Sequence, residues 1–139
     1  MEPWRMLLSL GALAALPAAA AVKGNFLATC RDVNVASANP ANTPAFNDFV
    51  SATCKTVDGK AQATSMDLNL CVGFDASTQA LAWSPMGKFR NYCRDCSLKA
   101  PSELQCTCGS DSRTSRLDLN DGLVNRNGNL FCVSWDKLN

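Results

Sequence analysis

The sequence predicts an all-β protein made of two tandem copies of one unit, and three observations carry that prediction. The first is self-similarity. Gly24-Asn25-Phe26 matches Gly87-Lys88-Phe89, and Cys30-Arg31-Asp32 matches Cys93-Arg94-Asp95, both at an offset of 63 residues. Cys54 then falls on Cys108 at an offset of 54, Asp67-Leu68-Asn69 on Asp118-Leu119-Asn120 at 51, and Leu81 on Leu130 at 49. Landmarks that keep their order while the offset shrinks describe a duplication whose first copy carries the longer loops. The second observation is alternation: Phe26, Ala28 and Cys30 interleave with Leu27, Thr29 and Arg31, and Phe89, Asn91 and Cys93 repeat the pattern, which is the spacing of a strand. The third is the absence of any sustained helical stripe, set against turn signals at Val57-Asp58-Gly59 and at 125–129, Asn-Arg-Asn-Gly-Asn. About five short strands per copy are expected.

Read in chain order, residues 1–21 form an export signal. Arg5 supplies the charged start, Met6 to Leu16 the apolar run, and Pro17 with the following alanines the small-residue exit, with cleavage after Ala20 or Ala21. No later stretch is long and apolar enough to span a bilayer. The mature chain is then 22–139, one domain in which the first repeat occupies 24–84 and the second 87–135. Pro85 marks a short hinge between them. Residues 36–48, with two prolines and little apolar mass, read as an extended surface loop inside the first copy.

Composition removes several classes of function. A net charge of +1 gives no electrostatic reason to expect nucleic acid or an anionic membrane as partner. The chain has no histidine, so the usual general base and the usual zinc ligand are missing, and no metal or cofactor is called for. Eight cysteines in an exported chain read as four disulfides, which suit a domain whose small core stabilises it modestly. The spacing of Cys93 and Cys96 also fits a redox pair, but so many neighbouring cysteines favour structural bridges. The duplicated Asp-Leu-Asn admits two readings. Asp67 and Asp118 could be catalytic carboxylates; alternatively the Asp and Asn side chains satisfy loop amides while Leu68 and Leu119, facing one side of a strand, anchor the core. The second is favoured, because a duplicated core signature needs no chemistry and equivalent positions in separate copies do not converge as an acid–base pair.

Taken together, GNFLATCRD (24–32), SATC (51–54), TSMDLN (64–69), ALAW (80–83), GKFRNYCRD (87–95), LQCTC (104–108), RLDLN (116–120) and VNRNGNL (124–130) resemble the cyanovirin-N homology domain, a carbohydrate-binding family with many fungal members. The resemblance spans nearly all of the mature chain. It implies two pseudo-symmetric halves, each a triple-stranded sheet plus a β-hairpin, with strands exchanged between repeats and no enzymatic activity. It also implies one disulfide per copy, Cys30–Cys54 and Cys93–Cys108; Cys108 rather than Cys106 is the family cysteine, since Leu104 precedes it as Val50 precedes Cys54. The other four cysteines stay open in the sequence. The expectation for them is a nested Cys96–Cys106 bridge and a Cys71–Cys132 bridge.

The resemblance further implies two separated sugar sites, each mixing the start of one repeat with the end of the other. Carried over residue by residue, the first uses Asn25, Ala28, Thr29, Lys55, Val57, Asn125, Arg126 and Asn127, whose amide, hydroxyl and backbone groups suit vicinal sugar hydroxyls. The plain alternative is that 125–129 is only a hairpin turn. The second site would use Asp75, Thr78, Lys88, Asn91, Tyr92, Ser110 and Asp111. There the hairpin FDASTQAL lacks the turn glycine, and the stretch from Cys108 to Leu117 is shorter than that from Cys54 to Met66, so this site is expected to be altered or lost. Trp83 and Trp135 read as core or rim packing rather than a sugar-stacking platform. The function expected is a non-enzymatic lectin for mannose-type oligosaccharides, secreted, monomeric or a domain-swapped dimer. The competing reading is a disulfide-rich effector or inhibitor on the same fold, with the 36–48 loop as its protein contact.

Overall fold

The computed structural model describes residues 24–39, 41 and 46–133; the expected signal segment 1–21, Pro40, residues 42–45 and Trp135 lie outside the described residues. Strands β1 (Cys30–Ala36), β2 (Phe49–Lys55) and β3 (Ala61–Asp67) form one antiparallel sheet, followed by the hairpin β4 (Val72–Asp75) and β5 (Ala80–Trp83). The second copy repeats this with β6 (Cys93–Lys99), β7 (Glu103–Cys108) and β8 (Arg113–Asp118), then the hairpin β9 (Leu123–Arg126) and β10 (Asn129–Cys132). Five strands per copy, in two halves of sheet plus hairpin, agree with the expected all-β tandem repeat.

The hairpins are exchanged. Strand β5 lies beside β8 of the other copy, and β10 beside β3. One hydroxyl marks each junction: the Leu81 N–H donates to Ser115 Oγ at 2.8 Å, and the Leu130 N–H to Thr64 Oγ1 at 3.2 Å. Around these junctions Phe26, Phe89, Val50, Leu104, Leu68, Leu119, Val72 and Leu123 close a core that runs through both copies. Each half therefore depends on the other copy for part of its core, which is why the unit is the pair and not the repeat.

All four expected disulfides are present: Cys30–Cys54, Cys71–Cys132, Cys93–Cys108 and Cys96–Cys106. Cys30 stands opposite Cys54 in the β1–β2 ladder and Cys93 opposite Cys108 in the β6–β7 ladder. The register of both ladders shifts just after these pairs, where Asp32 and Asp95 take left-handed backbone angles of 57° and 52°. These are β-bulges, and they occur at the same place in both copies. Cys96–Cys106 crosses the second ladder where the first copy has Val33 and Ala52. Cys71–Cys132 ties the end of β10 to the other copy.

Three sequence expectations need correction. The alternation at 26–29 and 89–92 is not strand: Phe26–Ala28 and Phe89–Asn91 are single turns of 3-10 helix, and the strands start at Cys30 and Cys93. Asn25 and Lys88 enter these turns with left-handed φ of 64° and 51°. Burial of Phe26 and Cys30 with Ala28 exposed has a spacing of four, which a tight turn satisfies as well as a strand. Leu68 and Leu119 likewise sit in 3-10 turns, Leu68–Leu70 and Leu119–Asp121, and not on strands, although both are fully buried as expected. The 36–48 segment is not all surface loop. Ala36 ends β1, and Asn47 and Asp48 are buried, Asp48 to 2% exposure. Asp48 accepts from the Ala38 N–H at 3.1 Å and pairs with the Arg90 guanidinium at 3.2 Å, while Asn47 Nδ2 donates to the Cys96 carbonyl at 2.7 Å. A buried carboxylate is tolerated when bonded and paired in this way, and here it fastens the loop's end to the second copy.

Candidate functional site

The duplicated Asp-Leu-Asn builds the frame of both candidate sites. Asp67 Oδ1 accepts the Asn69 N–H at 2.9 Å and closes its turn; Asp118 does the same for Asn120 at 3.0 Å. Each asparagine then reaches the start of the other copy. The Asn120 carbonyl accepts the Asn25 N–H at 2.6 Å, and its side-chain Oδ1 accepts the Leu27 N–H at 2.9 Å. Asn69 holds Lys88 and Arg90 identically, at 2.9 and 3.0 Å. The motif is a clamp between copies, with leucine as its anchor, and its carboxylates are engaged in capping.

The clamp on Asn25 brings three segments together at the first end: the Phe26–Ala28 turn, the β2–β3 turn and the β9–β10 turn. Lys55 N–H donates to the Thr29 carbonyl at 3.0 Å. Asn125 Nδ2 donates both to Thr29 Oγ1 at 2.9 Å and to the Lys55 carbonyl at 2.8 Å, and its Oδ1 accepts the Gly128 N–H at 2.7 Å. Asn127 Oδ1 accepts the Val57 N–H at 2.9 Å. Seven of the eight expected first-site residues are thus tied into one unit, with Asn25 at its edge through Asn120, and Ala28 through its N–H to the Asn25 carbonyl. The eighth, Arg126, lies over the Phe131 ring at 3.7 Å. Asn127 and Gly128 both have positive φ, 50° and 90°, so the β9–β10 connection is the tight hairpin turn that Asn-Gly favours. Both functions of the Asn125 amide are engaged, so it positions the site. A cleft of about 360 Å³ opens beside Val57 and Asn127, lined also by Thr56, Asp58, Lys60 and Gln62.

At the second end the same frame carries different chemistry. The Gly109 N–H donates to the Tyr92 carbonyl at 2.9 Å, the counterpart of Lys55 to Thr29. In place of the Asn125 amide stands Phe74, whose ring stacks on Tyr92 with centroids 5.7 Å apart. The missing turn glycine of 74–81 is replaced by Gln79, which adopts a left-handed φ of 56°. Asp75 Oδ1 accepts from the Ser77 N–H at 2.9 Å and hydroxyl at 2.7 Å, and these bonds hold its carboxyl below the usual aspartate range. Of the seven expected second-site residues, Asp75, Thr78 and Tyr92 fall in two depressions. Thr78 lines one of about 450 Å³ with Arg113 and Arg116, while Asp75 and Tyr92 line another of about 360 Å³ with Trp83. Lys88 and Asn91 bracket the Phe89–Asn91 turn, and Asp111 lies 4.0 Å from the Arg113 guanidinium, in the β7–β8 turn that also carries Ser110.

A family model for the CVNH domain matches residues 26–131. The chain belongs to the CVNH family. Solved structures of CVNH proteins share the fold. A MoCVNH3 variant in complex with (N-GlcNAc)4 is 19% identical, with a TM-score of 0.64, 80% of this chain and 98% of that chain covered. The CVNH of T. borchii is 23% identical, with a TM-score of 0.60, covering 78% and 98%. Microvirin, solved with mannobiose, is 26% identical, with a TM-score of 0.58 and the same coverage. Among proteins of curated function none matches significantly.

The CVNH frame also explains what the sequence reading missed. Asp58 was legible only as part of the Val57-Asp58-Gly59 turn, and Thr56, Lys60 and Gln62 carried no signal, yet Gln62 Nε2 reaches the Gly128 carbonyl at 3.1 Å and draws the two turns together. Asn120 was legible as a repeat but not as the residue that seats Asn25. Phe74 was hidden, since it replaces rather than repeats its counterpart. Trp83 packs against Gly122, in keeping with its reading as a packing residue.

Proposed function

We propose that this chain is an exported, non-enzymatic lectin that takes mannose-type oligosaccharide at the end formed by Asn25, Ala28, Thr29, Lys55, Val57 and 125–127. The observation that carries the reading is the assembly of three segments from both copies by side-chain amides and hydroxyls, with an open cleft beside Val57 and Asn127. Thr29 Oγ1 accepts from Asn125, which leaves its proton to donate to a ligand hydroxyl. The Lys55 and Asn25 side chains supply further donors and acceptors. Membership of the CVNH family and the mannobiose complex of microvirin support the choice of sugar. Export rests on the 1–21 segment and on four disulfides, which persist in oxidising compartments.

Such a site makes few contacts, each worth about 1 kcal/mol net, so binding at one end alone is weak. The test is titration of a dimannoside followed by backbone amide shifts, with the sugar recovered unchanged. Shifts confined to residues near 25–29, 55–57 and 125–127 are expected. Shifts centred on 88–92 and 110–113 would reverse the assignment of the ends. Silence towards every glycan would move the reading to a protein-binding effector or inhibitor.

A further inference from the structure

Three coordinated replacements separate the second end from the first. Tyr92 stands where the first end has Thr29, Phe74 where it has Asn125, and Gly109 where it has Lys55. The amide–hydroxyl clamp has become an aromatic pair, with ring planes inclined by only 18°. Gly109 makes the exchange sterically workable: a Cβ there would stand 3.2 Å from Phe74 Cζ, and the backbone φ of 76° suits glycine. Phe74 is half-buried and packs on the core, whereas Tyr92 keeps 52% of its surface in solvent, one of few large apolar side chains so exposed among the described residues. Beside the pair runs the cleft of about 360 Å³ lined by Asp75, Trp83 and Ser84. Asp75 accepts from the Ser77 N–H and hydroxyl through Oδ1 and keeps its carboxylate at the edge of this cleft. A rigid aromatic surface backed by a second ring, with a carboxylate and a hydroxyl at its edge, is the composition of a small-ligand site.

We propose that this end binds the flat face of a gluco-configured pyranose, as found in β-1,4-linked oligosaccharides of glucose or N-acetylglucosamine. In such sugars every ring substituent is equatorial, so each ring face presents only axial C–H bonds. The electron-rich face of an aromatic ring attracts those hydrogens. Mannose carries an axial 2-hydroxyl that interrupts one face, and the first end has no aromatic platform in the equivalent place. Asp75 and Ser84 receive the hydroxyls at the edge of the stacked ring. The inference rests on the reading of this fold as a glycan binder, but not on the choice of mannose for the first end.

Tyr92 is the only tyrosine in the chain, so its ring resonances report on this end alone. The experiment is titration of the whole mature protein with triacetylchitotriose and with cellotriose, followed by the Tyr92 ring signals, with a dimannoside in parallel. Saturable ring shifts with either trisaccharide and none with the dimannoside are expected. Tyr92→Ala should weaken trisaccharide binding at least tenfold, while Tyr92→Phe keeps it within about threefold, since the ring and not the hydroxyl makes the platform. Ring signals that stay still with both trisaccharides, or full binding by Tyr92→Ala, would overturn the proposal; the first readout needs no variant. Ring shifts with trisaccharide but dimannoside silence everywhere would sink the mannose reading and leave this one standing.

Discussion

Cys71 and Gly122 occupy the same position in the two copies, and so do Cys132 and Trp83. The backbone around them makes the same contact in both: the Ser84 N–H meets the Cys71 carbonyl at 2.9 Å, and the Val133 N–H meets the Gly122 carbonyl at 2.9 Å. Within that common frame one junction is closed by a disulfide and the other by an indole laid on a glycine. A Cβ on Gly122 would fall 2.3 Å from Trp83 Cε2, so the tryptophan fills the space that a side chain there would need. The difference teaches that strand exchange asks only for a hairpin end fastened to the other copy. Covalent and packing solutions are interchangeable within the same backbone, and the duplicated units are free to diverge at the fastening. The two ends of the molecule have diverged in the same manner, amide clamp at one and aromatic pair at the other.

The largest expected effect breaks the covalent fastening. Cys71 and Cys132 are separated by 61 residues, whereas Cys96 and Cys106 are separated by 10 and lie within one hairpin. If a bridge acts by restricting the unfolded chain, loss of the first should cost about 4 kcal/mol and loss of the second about 3 kcal/mol. Guanidinium unfolding of the Cys71→Ala, Cys132→Ala double variant measures the first. Cys96→Val with Cys106→Ala, which restores the Val33 and Ala52 pair of the first copy, measures the second. A smaller loss for the long-range bridge than for the hairpin bridge would contradict the picture of a fastening between copies.

The packing solution has its own weak point. Gly122→Ala forces a methyl into the indole and should cost about 1–3 kcal/mol, the range for overpacking a filled site. Adding Trp83→Leu should recover part of that cost, because the two positions share one space and cannot behave independently. Thermal or denaturant unfolding of the two single variants and the double variant gives the coupling. Strict additivity would mean that the indole does not depend on the glycine.

How much of this was legible beforehand follows from what repeats and what replaces. The Asp-Leu-Asn repeat, the ladder cysteines and the Asn-Gly turn recur or carry strong local signals, so they and the halves they build were legible, though not the turns that hold Leu68 and Leu119. Trp83 against Gly122, and Phe74 with Tyr92 against Asn125 with Thr29, are substitutions that conserve space and not identity; only coordinates show that they answer one another. The turns at Phe26–Ala28 and Leu68–Leu70 were misread as strand for a different reason. Over four residues a buried–exposed pattern is shared by strands and tight turns, and what decides is the left-handed Asn25 or the capping Asp67, each visible only with its partner. Asp48 fell in the 36–48 segment, whose prolines and small apolar mass read as surface loop, and its burial depends on Arg90, 42 residues away.

The smallest effect separates the two hairpin turns by their response to acid. The β9–β10 turn is held by the neutral Asn125 amide, while the β4–β5 turn is held by Asp75, whose carboxylate accepts first from the Ser77 hydroxyl and then from its N–H. Those bonds favour the charged form and lower the Asp75 pKa from the ordinary 3.8. A group whose folded pKa lies below its unfolded value contributes stability that is present above the unfolded value and lost as pH falls through the folded one. The β4–β5 turn should therefore hold unchanged from neutral pH down to about 4 and loosen only in stronger acid, with the β9–β10 turn indifferent throughout. Because Asp75 is only half-buried, solvent screens the effect and the change in overall stability is slight. A carboxyl-carbon NMR titration gives the midpoint directly. Ser77→Ala should move it up toward 3.8, since the largest cause of the shift is removed with the hydroxyl. A wild-type midpoint at or above 3.8, or one unmoved by Ser77→Ala, would show that the serine does not hold this turn.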